Sequence, residues 1–187
     1  MLDDLHTVYI GVTKKIILML LGNKAFGRGE QFDLIDEELQ RNKGIAEISS
    51  MKGFSSISDW KGKHFYMFLL FYGLPFMKEY LIDDNFTAIW LCLNNAIYTC
   101  SLERISDYDL SFAENEMKKF KSLYKESFGI ENMSPNFHEL TEHLCFAVKN
   151  TGPLWINSTF NFEEINFLNR NCVRSSLRPD IQIYKRY

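Results

Sequence analysis

Apolar side chains recur along this chain at the three- and four-residue spacing of helices, and almost nowhere do they alternate as strands require. In the clearest run, Phe65, Phe68, Leu69, Tyr72 and Phe76 fall at i, i+3, i+4, i+7 and i+11, which marks one face for a core. Val8, Val12, Ile16, Met19 and Leu20 predict an earlier helix over 5–21, stopped by Gly22-Asn23, and Phe32, Ile35 and Leu39 a short one. Residues 44–58, with Gly53 and several serines, read as an exposed connector, after which Ser58 or Asp59 can cap the long helix. Pro75 should bend or end that helix, because it lacks a backbone donor.

Phe86, Ile89, Trp90, Leu93, Ile97 and Cys100 predict a helix that pairs with it. Ser106 with Asp109 forms a capping box for a helix through Phe112, Met117, Phe120 and Tyr124, whose Lys118, Lys119, Lys121 and Lys125 face water. Asn136 with Glu139 gives a further cap, which puts His138 in the first turn of a helix reaching about Lys149 and stopped by Gly152-Pro153. Only 154–160 offers an extended apolar run. The expected fold is mostly α with little or no sheet. It forms one domain over 1–187, in three stretches: N-terminal helices and connector (1–58), helical core (59–130), and a last part with the histidine pair, a glutamate-bearing helix and a basic tail (131–187).

The 46% hydrophobic content, with sixteen phenylalanines, is enough to bury a core at this length. A net charge of -3 gives no global attraction to nucleic acid, so any DNA contact needs a local basic patch. Cys92, Cys100, Cys145 and Cys172 show no C-x-x-C spacing and read as reduced structural thiols of an intracellular protein. Asp3 and Asp4 stand where a secretory signal needs positive charge, and no run reaches the roughly 18–20 apolar residues of a membrane span.

Two separated pairs carry metal-type side chains, Asp3-x-x-His6 and His138-x4-His143, and together they can close one zinc site between distant segments. Five residues of helix turn through about 500°, roughly 140° off a common face, so His138 must lie on an unwound first turn for both imidazoles to meet. The other reading is a capping histidine and a core-edge histidine. Glu163 and Glu164 begin an acidic aromatic stretch. They can complement a helix N-terminus, or Glu163 can ligate magnesium in two-metal phosphoryl transfer, which one carboxylate does not accomplish alone. Arg170, Arg174 and Arg178 repeat every four residues, which suits either a DNA-phosphate contact or a solvated stripe. There is no Gly-rich phosphate loop, G-x-S-x-G elbow or H-E-x-x-H motif, so kinase, dinucleotide and hydrolase readings have no support.

These residues also carry a family likeness. The stretches 3–12, 60–72 and 132–166, with Arg178-Pro179-Asp180-Ile181-Gln182-Ile183 at the end, resemble the C-terminal part of CACTA/EnSpm-like cut-and-paste transposases. Those enzymes are distantly similar to Transib transposases and the V(D)J recombinase catalytic subunit. The resemblance implies the helical insertion and C-terminal part of a ribonuclease-H-like domain. Asp3 and His6 fall on the family's [C/D]-x-x-H pair, His138 and His143 on its paired histidines, and Glu163 on the last acidic residue of the D-D-E set. It implies structural zinc, magnesium only in a complete catalytic core, DNA as partner, and a nuclear location. The missing N-terminal catalytic part or a second copy would be further partners. The first two aspartates of the set lie upstream of Asp-x-x-His in such enzymes and are absent from this sequence. The expectation is therefore a truncated or degenerate transposase, inactive alone. The alternative is a domesticated helical module for protein interaction or DNA association, without catalysis.

Overall fold

The structure, a computed structural model, describes residues 2–41, 51–81, 83–160 and 162. It is mostly helical, and among the described residues there is no strand. The first helix begins at Asp4, is wound over Asp4–Thr13 with a wide turn in which the Lys14 N–H reaches the Tyr9 carbonyl, and continues as α1 (Lys14–Gly22). Val8, Val12, Ile16 and Leu20 are buried, as their spacing predicts, and Asn23 closes the helix. The short amphipathic helix follows as α2 (Glu30–Arg41), with Ile35 and Leu39 buried. The whole of Asp4–Gly22 is long and apolar enough, by length and composition, to cross a membrane, which the sequence reading did not anticipate. Half of that window is buried inside the fold, as in a core helix.

The segment leading to the long helix corrects the expectation of an exposed connector. Residues 42–50 lie outside the described residues, but Met51, Phe54 and Trp60 are buried. The Phe54 ring meets those of Phe26, Trp60, Phe68 and Phe76 at 4.9–5.8 Å, so this stretch supplies core rather than surface. Ser58 and Asp59 end a 3-10 turn (Phe54–Asp59) instead of capping a helix. Helix α3 (Gly62–Met67) starts after Lys61, whose amide donates to His64 Nδ1 at 2.9 Å.

Pro75 neither ends nor interrupts its helix, contrary to the simple rule. Between α3 and α4 (Gly73–Tyr80) the chain widens over Phe68–Tyr72, where the Gly73 N–H reaches the Phe68 carbonyl. This loosened turn directly precedes the proline, whose ring would crowd the carbonyl four residues back in a regular helix. Asn94 of α5 (Asp84–Cys100) donates to the Leu69 carbonyl at 2.5 Å and so binds a carbonyl inside the widened turn.

Helix α5 packs along α6 (Asp107–Phe128), and Asn95 donates to the buried Glu116 carboxylate at 2.9 Å. Ser106 and Asp109 form the expected capping box. Lys118, Lys119 and Lys121 are exposed and pair with Glu114, Glu116 and Glu142.

Helix α7 (Pro135–Thr151) begins two residues earlier than its sequence suggests. Ser134 is the cap, accepting from the Phe137 N–H at 3.3 Å, with Pro135 in the first position, and Gly152 closes the helix at a φ of 90°. The expected extended run at 154–160 is instead a 3-10 turn (Leu154–Asn157). Leu154 alone of that turn is buried, and among the described residues there is no strand for it to pair with.

Candidate metal centre

The two pairs singled out by sequence lie on elements that pack together, the first helix and α7, which meet where Asn136 approaches the His6 carbonyl. Gly11 permits the approach. A Cβ there would lie 2.5 Å from Asn136 Nδ2 and 2.6 Å from the His6 carbonyl oxygen. Asn136, freed from the capping role, donates instead to that carbonyl at 3.4 Å. Gly11→Ala is therefore expected to destabilise the protein by about 1–2 kcal/mol in urea denaturation, the overpacking outweighing the gain in helix propensity. An alanine variant more stable than wild type would contradict this packing.

At the N-terminal pair, Asp3 caps the first helix by accepting from the Leu5 N–H at 3.2 Å, and its other oxygen lies 2.5 Å from His6 Nδ1. The same carboxylate accepts from the Thr159 amide at 3.2 Å and from its hydroxyl at 3.0 and 2.8 Å. Asp3 thus ties the beginning of the chain to the segment four residues before Glu163. Burial works against its charged form, but the hydrogen bonds from His6 and Thr159 outweigh it and hold its pKa below the ordinary value of 3.8.

A carboxylate depressed in this way stabilises the fold above its unfolded pKa, and the contribution fades as pH falls through the lower folded value. Asp3→Asn should cost about 1–2 kcal/mol at neutral pH, with the difference in melting temperature from wild type shrinking below about pH 4. A difference that stays constant down to pH 2 would contradict the clasp.

Thr159, His6 and Asp3 do not make a nucleophilic triad. The hydroxyl and the carboxylate both approach His6 Nδ1, at 3.3 and 2.5 Å, whereas a relay needs them on opposite ring nitrogens. Asp4, beside Asp3, was not picked out by sequence. It is buried, one of its oxygens has no hydrogen-bond partner among the described residues, and burial raises its pKa although the Ser158 hydroxyl partly offsets this. Its charge adds to burial in raising the pKa of Tyr9 and Tyr66.

At the second pair, Phe137 anchors the first turn of α7 against Phe120 and Tyr124 of α6, with ring centroids 5.4 and 4.3 Å apart. The preceding loop is pinned as Lys15 Nζ and the Tyr124 hydroxyl donate to the Asn132 carbonyl at 2.6 and 3.0 Å. His138, next in sequence to this anchor, is exposed, and so is His143. Their rings nevertheless approach to 5.5 Å, nearly perpendicular, so the awkward five-residue spacing does not part them. Neighbouring Glu142 is held by Lys121, whose hydrogen bond keeps its carboxyl below the usual range.

The structure thus pairs Asp3 with His6 and His138 with His143, on adjoining elements. Among the described residues no three His, Cys, Asp or Glu side chains are grouped around one point. Glu163, its neighbour Glu164, Arg170, Arg174 and Arg178 lie outside the described residues. Asn136 and Gly11, which connect the two segments, and Thr159, which clasps Asp3, give no sequence signal of those roles: each acts across more than a hundred residues. No family model, curated protein or solved structure matches the chain.

Proposed function

We propose that this chain is the helical insertion and closing segment of a ribonuclease-H-like DNA transposase core, bearing a structural zinc site and unable to cleave DNA by itself. The observation that carries this reading is the packing of the Asp3/His6 turn against the start of the helix that bears His138 and His143. One carboxylate and three imidazoles are a donor set that zinc accepts, and His138 and His143 are both exposed on α7. When bound, zinc would contribute folding energy and no redox chemistry. Asp3, His6, His138 and His143 would hold it.

Glu163 is proposed, by family likeness, as the last catalytic carboxylate. One such group does not hold the two magnesium ions of a phosphoryl-transfer centre, so the chain alone has no cleavage activity on this reading. Arg170, Arg174 and Arg178 are proposed to contact DNA phosphates in the complete assembly.

Elemental analysis of the purified full chain tests the metal site. About one zinc per chain is expected, and it should be lost in a His138→Ala, His143→Ala double variant. A wild-type protein that takes up no zinc would leave only the second reading, a helical scaffold without metal. Magnesium-dependent nicking of DNA by this chain alone would contradict both.

A further inference from the structure

His64 is the one histidine of the chain that the candidate metal centre does not use, and it is only 3% exposed. It stands at the third position of α3, from which a side chain reaches back to the amide before the helix, and its Nδ1 accepts from the Lys61 N–H at 2.9 Å. A backbone amide only donates, so Nδ1 carries no proton and the neutral ring holds its hydrogen on Nε2. That second nitrogen is buried and has no hydrogen-bond partner among the described residues. The His64 ring lies 6.3 Å from that of Trp60, whose indole N–H donates to the Gly53 carbonyl at 3.2 Å, so the helix cap and the turn before it meet here.

We infer that His64 is an acid-operated latch: its neutral ring holds the start of α3 closed, and protonation frees the 51–61 segment and the first turn of α3 from the first helix. A second proton can only go to Nδ1, where two N–H groups would then face each other, so the charged ring and the cap exclude one another. The imidazolium would also be buried with neither nitrogen paired.

Burial, followed by the charges of Lys63, Lys52 and Lys61, holds the His64 pKa below the ordinary 6.5. Lys52 comes from the segment before α3 and pairs with Asp59 at 3.8 Å, while Lys61 and Lys63 flank the helix start itself. The folded chain therefore resists a proton that the unfolded chain accepts near pH 6.5. Stability is untouched well above that pH and falls as pH drops below it, until the folded ring titrates as well. The opening reaches the first helix because α3 packs on it, and Gly62 sits so close that a Cβ there would collide with Leu5 Cδ1. Leu5 belongs to the same turn as Asp3 and His6.

The test compares the full chain with His64→Gln, both in chelator so that proton competition at the proposed zinc donors does not enter. Glutamine at this position can accept from the Lys61 amide and does not titrate. Between about pH 7 and 5 the unfolding constant of wild type in urea should rise relative to that of the variant, by up to about tenfold per pH unit. Hydrogen exchange over the same range, corrected for its intrinsic pH dependence, should show 51–67 losing protection in wild type while α5 and α6 keep theirs. Nitrogen-15 spectra at neutral pH should place the ring proton of His64 on Nε2. The last two measurements need only wild type, so they decide the matter if the variant does not fold. Parallel unfolding constants, a proton on Nδ1, or a 51–67 segment that keeps its protection on acidification would each overturn the latch.

Discussion

Trp90→Ala is expected to lower the free energy of unfolding by about 3–5 kcal/mol, enough to leave a protein of ordinary stability barely folded. Trp90 is fully buried and meets Phe68 edge-on at 5.3 Å. On another side it lies so near α4 that a Cβ on Gly73 would fall 2.7 Å from its ring. The indole therefore fills the space between α5 and the widened turn that accommodates Pro75, and alanine would leave a cavity that neither helix can collapse into. One effect works in the opposite direction. The indole N–H is buried and has no hydrogen-bond partner among the described residues, and deleting an orphaned donor recovers part of its desolvation cost. The loss should fall toward the lower end of the range, and Trp90→Phe, which keeps a ring while removing that donor, should cost clearly less. Urea denaturation measures both. A loss below about 1 kcal/mol for the alanine variant would mean that this core is not packed as described.

The second large effect concerns metal. On the proposed reading, zinc in thousandfold excess over its dissociation constant stabilises the folded chain by about 4 kcal/mol. Chelation should remove that increment. His143→Ala should lower the melting temperature of zinc-replete protein by a similar free energy and leave chelator-treated protein almost unchanged. His143 is exposed and takes part in no core packing, so a metal-independent loss of the same size has no source in the fold. Equal losses with and without chelator would count against the site.

Much of the helical framework is legible in the residues. The 3.6-residue faces of the first helix and of α5 locate buried side chains correctly, and Ser106 with Asp109 marks the start of α6, because these signals are local. What sequence conceals depends on distant partners. Asn136 resembles a cap, but Ser134 with Pro135 wins the position, and Asn136 turns to the His6 carbonyl across the helix contact. Residues 44–58 look like a serine-rich connector, yet in their described part, 51–58, Met51 and Phe54 are buried in the core. The Asp3–Thr159 clasp joins residues 156 positions apart, which no spacing rule connects. Of the site itself, the sequence reveals which residues pair. It does not reveal that Asp3 is already engaged by a helix cap, a histidine and a threonine.

Cobalt substitution tests the shared site most directly, because Co²⁺ takes zinc's position and its visible absorption reports a tetrahedral environment. The full chain reconstituted with one equivalent of cobalt should show the intense visible bands of a four-coordinate nitrogen and oxygen site. Those bands should fade both in His6→Ala, at the beginning of the chain, and in His143→Ala, on α7. Bands that survive either substitution, or a spectrum of six-coordinate aqueous cobalt from wild type, would contradict a cation held jointly by the two segments.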